Sequence, residues 1–277
     1  MNPVKPIFVV DLFPPLSQEL NSVLKSLAHS DWSKPTICSL WSVKDVAAHL
    51  LGGNFSRLWS QTKVEEKPAN KQLNFDDLVT LINQNNELWV QAAKRISPDL
   101  LIELLLLTDQ YLYDHFKKLD PFDMAGITVA WASDQLPPNW LDIAREFTEK
   151  WLHQQHIREA VGFPLLTEKK WLDPVLDIFM RALPYAYRLI DSEIDTSINI
   201  RITGEAGDDW TLRKGDLGWE LFTGADANAK AFIQLDQNWA WRLFTKGISM
   251  DKAKFYANTS GDVGLCEIFF KVVSIMA

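Results

Sequence analysis

Cysteine is nearly absent from the chain: Cys38 and Cys266 are the two in 277 residues, far apart in sequence. A disulfide framework is not indicated, and a reducing cytoplasmic setting is the simplest expectation. Long apolar runs are missing too. The longest, Leu100 to Leu107 and Ile268 to Ala277, are short and are interrupted by Glu103 and Lys271, so neither is expected to span a bilayer. The opening Met1-Asn2-Pro3-Val4-Lys5-Pro6 leads into no apolar stretch of signal-peptide type. There is no cluster of Lys and Arg, and the formal net charge is −8. An acidic chain without a basic patch is a poor binder of phosphate backbones, so nucleic acid is not the expected partner. What is plentiful is apolar and aromatic: 47% of residues are hydrophobic and 23% charged, the balance of a folded chain, and twelve are Trp. Each indole brings a large apolar area and one N–H that needs a partner, which suggests wet-edged cores or an aromatic-lined cleft.

The first two-thirds read as helices. Pro14-Pro15 precedes a helical stripe of Leu16, Leu20, Leu24 and Leu27. A turn-rich stretch, Ser30 to Ser39, follows. Ser42-Val43-Lys44-Asp45 has the form of a capping box and starts a second helix toward Trp59. A polar loop from Lys63 to Asn74 leads to a third helix, Phe75 to Ile96. Ser97-Pro98-Asp99 opens a fourth with Pro at its first position, ending near Leu119. A fifth follows Pro137-Pro138-Asn139 and stops at Gly162, and a sixth covers Asp173 to Ile190. After Asp195 the period changes: Ile198, Ile200 and Ile202 alternate with polar residues, as strands do. Trp210-Thr211-Leu212 and Trp219-Glu220-Leu221 read as a hairpin with its turn near Gly215-Asp216, and Ala231 to Leu235 as a further strand. Asn238 to Lys246 suits a helix, Lys254 to Asn258 a last strand, and Val263 to Met276 a closing helix. The expected fold is therefore α plus α+β: a four-helix bundle with additions over residues 1–192, then a small α+β domain over 193–277.

Histidine is scarce, at five, yet His153 and His156 fall within one helical turn of each other and Glu149 precedes them. On a helix Glu149 and His153 are i and i+4 neighbours, and His153 and His156 are i and i+3. Glu149 and His156 are a rise of ~10 Å apart, too far for one ion to bridge readily. The helix thus offers one of two pairs, and His153 belongs to both. A catalytic site usually takes three protein ligands and keeps an open position. His49 is the best third candidate, since it flanks the face carrying Val46, Leu50 and Gly53, and Gly52-Gly53 leave room beside it. Imidazole and carboxylate together suit zinc, nickel, iron or manganese, and the ligand set alone does not choose among them; zinc is the first expectation. A plainer reading stands beside this. A single His on a half-apolar face is more often a hydrogen-bonded core residue, and the Glu149/His153/His156 stripe could be a solvated face opposite Trp140, Ala144, Phe147 and Trp151. His29 and His115 lie in polar stretches and read as surface residues.

The segment Asp31-Trp32, Pro35-Thr36 and Trp41-Ser42-Val43-Lys44-Asp45-Val46-Ala47-Ala48-His49-Leu50 resembles the opening signature of the mycothiol-dependent maleylpyruvate isomerase family, part of the DinB-like superfamily of metal-binding bundles. Glu149-Lys150-Trp151-Leu152-His153-Gln154-Gln155-His156-Ile157-Arg158 resembles its second signature. More loosely, Ile202 to Gly207, Trp239 to Leu243 and Gly261-Asp262 resemble a sterol-carrier-protein-like domain. The resemblance implies His49, Glu149 and His153 as metal ligands, and so selects between the two helical pairs. The family often has Asp where this chain has His156, which is expected beside the metal but outside its ligands, as a catalytic proton carrier. The implied activity is a thiol-using isomerase or transferase. A metal-bound low-molecular-weight thiol is its nucleophile, and a small molecule is its substrate. Arg158 and Arg242 are weak candidates for holding a substrate carboxylate; an ordinary surface salt bridge suits each better. Two other readings remain open: a non-catalytic, stress-related metal-binding bundle, and a carrier of small apolar ligands through the C-terminal domain.

Overall fold

The structure is a computed structural model that describes residues 1–59, 75–126, 129–132 and 135–274. The polar stretch from Lys63 to Asn74 lies outside the described residues. The chain clusters into two compact units. One comprises Met1–Ile7, Phe122–Arg145 and Leu166–Met276, and the other Phe8–Pro121 and Glu146–Leu165. The sheet begins near the change of period at Asp195, whereas residues 166–192, read from sequence with the helices, cluster with the sheet.

The helical unit is built on α1 (Phe13–Ser26), α2 (Val43–Trp59), α3 (Phe75–Ala93), α4 (Pro98–Phe116) and the second part of α5 (Asn139–Val161). Local chemistry sets their starts. Pro14 and Pro15 occupy the first turn of α1, where a missing N–H costs nothing. The capping box at α2 is formed: the Asp45 N–H donates to Ser42 Oγ at 3.3 Å, and the Ser42 N–H donates to Asp45 Oδ2 at 3.0 Å. Ser97 Oγ caps α4 by accepting from the Leu100 N–H. Leu20, Val23 and Leu24 of α1 meet Val46, Ala47, Leu50 and Leu51 of α2, Leu101 and Leu105 of α4 and Ile157 of α5 in one buried cluster. Each such aliphatic side chain is stabilised by ~1.5–3 kcal/mol on leaving water. Gly52 has a packing reason of its own. A Cβ there would lie 2.5 Å from the Trp89 ring, so glycine lets α3 approach α2 and the Trp89 indole donate to the Ala48 carbonyl. The room at Gly52 is filled by Trp89, not left beside His49.

In the other unit the strands order as β1 (Asn2–Pro3), β4 (Trp219–Thr223), β3 (Asp209–Lys214), β2 (Ser197–Thr203), β5 (Ala231–Asp236) and β6 (Asn258–Gly261). β2 and β5 run parallel, with Ile200 opposite Ile233; the other pairs are antiparallel. The expected hairpin is β3–β4, closed by the Gly215 N–H donating to the Gly218 carbonyl. Ile198, Ile200 and Ile202 are buried as their alternation predicts, with Trp210, Leu212, Ile233 and Leu235. The helices of this unit are α6 (Lys169–Met180), α7 (Leu183–Ala186), α8 (Gln237–Phe244), α9 (Met250–Tyr256) and α10 (Val263–Phe269). The sixth helix is shorter than expected. Arg181 and Ala182 separate it from α7, whose first turn contains Pro184, a residue with no N–H to continue the ladder. The strand expected over Lys254 to Asn258 is also corrected. Ser249 caps a helix through the Lys252 N–H, and the strand begins at Asn258. The closing helix ends at Phe269. Among the described residues no helix is long and apolar enough to cross a membrane.

Candidate metal centre

His49 lies in the middle of α2, one position before the buried Leu50 and three after the buried Val46. Glu149, His153 and His156 follow one another along α5. Folding brings the first three together: Glu149 Oε1 stands 3.1 Å from His49 Nε2 and 3.1 Å from His153 Nε2. The two imidazoles lie edge to face, with centroids 4.6 Å apart. One donor atom from each of the three residues lies within 4.8 Å of the others. The Trp41 ring, just before α2, covers the pair, 4.8 Å from His49 and 6.4 Å from His153. Of the α5 stripe, the His153 side chain is 12% exposed and His156 is buried, while Glu149 is 33% exposed, so the two histidines are not on a solvated face.

The donor set fits a divalent ion. Bonds of ~2.0–2.1 Å at tetrahedral angles place neighbouring donors ~3.3 Å apart, close to the separations observed between Glu149 and each histidine. Two nitrogens and one carboxylate oxygen also leave a fourth position free in that geometry. His49, Glu149 and His153 are therefore the residues that could hold a metal here, with their donor atoms all within 4.8 Å of one another.

Charge explains how the residues stand without an ion. Burial opposes ionisation of Glu149, but the charge of His153 and hydrogen bonds from His153 and His49 outweigh it. They hold the carboxyl well below its usual range. Burial likewise opposes protonation of His153; the Glu149 charge and the neighbouring Cys38 lift its pKa to about 10. His49 moves the other way, lowered chiefly by burial. At pH 7 the metal-free site thus holds one proton, on His153. Metal ligation needs neutral imidazole. Binding of Zn2+ at pH 7 is therefore expected to release about one proton, and affinity to rise about tenfold per pH unit up to about pH 10. A pH indicator in weakly buffered solution reads this, and binding without proton release would contradict it. The sign for stability follows. The raised His153 pKa stabilises the metal-free fold fully below its unperturbed value of 6.5, and that contribution is lost as the pH rises toward 10.

His156 is placed beside the triad, its ring 5.2 Å from that of His153. It is buried, and burial followed by the charge of His153 pushes its pKa down to about 3, so it stays neutral. Its Nδ1 meets a residue that the sequence did not single out: Cys38 Sγ, at 3.4 Å. Cys38 sits in an irregular segment before α2, where no periodicity announces which way a side chain points. The only available signal was its place in the turn leading to the Ser42 cap. Arg158 is not a surface residue. Its side chain is buried, pairs with Glu19 at 2.8 Å and donates to the Pro164 carbonyl, so it fastens α5 to α1. Arg242 donates to the Asn238 carbonyl within its own helix. His29 is exposed as expected, and His115 is half-buried.

The back of α5 is held by a polar network. Lys150, next to Glu149, pairs with Asp109 of α4 at 2.8 Å and also donates to Asn54 of α2. Asn54 donates in turn to Thr108 and Asp109, and Ser17 of α1 donates to Asp109. Four helices are thus tied one residue away from the proposed ligand Glu149.

These features define a helical bundle with a histidine–carboxylate–histidine cluster, joined in sequence to a mixed sheet with helices. The model of the mycothiol maleylpyruvate isomerase N-terminal domain matches residues 13–158, more than half of the chain, and the chain belongs to that family. Two solved structures share the fold over 92% of this chain and 92% of theirs. One is a point mutant of the mycothiol-dependent maleylpyruvate isomerase, with TM-score 0.52 and 11% identity, and the other is the mycothiol-dependent maleylpyruvate isomerase itself, with TM-score 0.51 and 10% identity. No curated protein matches the sequence.

Proposed function

We propose that this chain is a metal-dependent enzyme that uses a low-molecular-weight thiol to isomerise, or transfer the thiol to, a small electrophilic substrate of the maleylpyruvate type. The ligands in this reading are His49, Glu149 and His153, the metal is zinc, and His156 is the catalytic proton carrier. The observation that carries it is the placement of Glu149 Oε1 at 3.1 Å from both imidazoles, within the region that the family model covers. A divalent ion bound there would supply a Lewis-acid position that lowers the pKa of a thiol.

The remaining work falls to the chain. Glu149 stands between the two imidazoles and fixes the orientation of both rings. Trp41 covers the ring pair and limits access of water from that side. His156 is neutral but only weakly basic, through burial and then the charge of His153; an ion bound at the triad would displace the His153 proton, remove that charge, and so raise the basicity of His156 toward what taking the thiol proton requires. The thiolate sulfur then bonds to an electrophilic carbon and its π electrons move onto the conjugated carbonyl. Rotation about the resulting single bond and expulsion of the thiolate give the isomer; protonation of the adduct gives transfer instead.

Zn2+-loaded protein is expected to convert maleylpyruvate only when mycothiol is present. His156→Ala is expected to keep one equivalent of metal while lowering the thiol-dependent rate by ~10²–10⁴-fold, the usual contribution of a positioned acid–base group. Absence of turnover with mycothiol, glutathione and cysteine alike in metal-loaded protein would sink the enzymatic reading. The carrier reading gains little support from the sheet unit, where Trp210, Trp241, Phe244 and Phe269 are buried as its core.

A further inference from the structure

His153 belongs to two groups of donors. With His49 and Glu149 it makes the triad already described. With Cys38 and His156 it makes another, in which one donor atom of each residue lies within 4.8 Å of the others. The two groups need not compete for one nitrogen. His153 Nε2 is turned to Glu149. Its Nδ1 is buried and has no hydrogen-bond partner, and Cys38 lies close enough to act on the charge of the same ring. A ring with one unpartnered buried nitrogen, grouped with a thiol and a second imidazole, supplies three donors suited to an ion. The one separation fixed within this group, Cys38 Sγ to His156 Nδ1 at 3.4 Å, is close to the ~3.6 Å that bonds of ~2.3 Å to sulfur and ~2.0–2.1 Å to nitrogen give at a tetrahedral angle.

We propose that Cys38, His153 and His156 form a second metal site, for a thiophilic divalent ion such as Zn2+, which shares the His153 ring with the triad through the opposite nitrogen. Thiolate with two imidazoles is a softer set than the triad's two imidazoles and a carboxylate, so the second site discriminates against oxygen-preferring ions such as Mg2+ and Mn2+. The shared ring couples the two. With an ion on Nδ1, the Nε2–H donates to Glu149 and His153 stays neutral; with an ion on Nε2, the proton resides on Nδ1. Filling both sites removes both protons and leaves a bridging imidazolate, so the first ion weakens binding of the second. A filled second site also occupies His156 and withdraws it from proton transfer. The site does not depend on the isomerase reading.

Co2+ titration of the full-length reduced protein tests this, because thiolate bound to cobalt has a charge-transfer absorption in the near ultraviolet that nitrogen and oxygen ligands lack. The band is expected in the native protein and in Glu149→Gln, which impairs the triad alone. It is expected to be lost in Cys38→Ser and in His156→Ala, with circular dichroism confirming that each variant is folded. His49→Ala takes the place of Glu149→Gln should the latter not fold. No band in the native protein, or a band that survives Cys38→Ser, overturns the proposal. So does a band lost with Glu149→Gln or its substitute, since Cys38 would then be a fourth ligand of the triad. Failure of the triad reading looks different: Cys38→Ser would bind no Co2+ at all while the native protein still shows the band.

Discussion

Replacing His153 by alanine is expected to strip the protein of divalent metal. His153 supplies a nitrogen to each donor group around it, so its loss leaves His49 with Glu149 on one side and Cys38 with His156 on the other. Two protein donors rarely hold zinc against dialysis, and removing groups that merely orient ligands already costs 10–100-fold in affinity. A fall of more than about a hundredfold is expected for the ligand itself. His156→Ala should retain one equivalent, because the triad does not use that ring. Metal analysis after dialysis, on variants of native circular dichroism, decides between them. The triad would be the wrong choice of ligands if His156→Ala emptied the protein as thoroughly as His153→Ala while Glu149→Ala did not.

Asp109→Ala is expected to destabilise the helical unit by about 3–5 kcal/mol, the usual cost of leaving a buried charge without its partner. The Lys150 and Asp109 side chains are only 11% and 10% exposed. Without the carboxylate, the Lys150 ammonium keeps Asn54 alone, and Ser17 and Asn54 lose an acceptor. The cost comes from the orphaned charge rather than from the strength of the pair. Replacing both by apolar residues, Lys150→Met with Asp109→Leu, should therefore recover most of the loss. Urea unfolding at pH 7 measures both variants. A loss under about 1 kcal/mol for Asp109→Ala would show that water reaches the ammonium.

Much of this was legible in the sequence, and the reasons are specific. Ile198, Ile200 and Ile202 announced a strand because side chains alternate across a sheet, and all three are buried. The Ser42 capping box fixed the start of α2 and hence the phase of His49 on it. The i, i+4 spacing of Glu149 and His153 put both on one face. The same spacing logic left a choice between Glu149/His153 and His153/His156, and the structure shows why it could not decide: His153 faces both neighbours, one through each ring nitrogen or edge. Cys38 was missed because it is 118 positions from His156 and lies in a turn, where orientation follows from tertiary packing alone. The strand at Asn258 was placed too early because Lys254 to Tyr256 complete a short helix whose cap, Ser249, looks like any turn serine.

The edge pairing of Asn2 and Pro3 with Thr223 and Phe222 has a consequence for synthesis. Asn2 and Pro3 join a strand that is made some 220 positions after them, and residues Phe122–Arg145 of the same unit also precede the rest of the sheet in synthesis. Non-local pairing of this kind is slow, because the intervening chain must be ordered first. The sheet unit therefore has to fold late, after release of most of the polypeptide. Its early segments, β1 among them although it is two residues long, must wait for the strands they pair with.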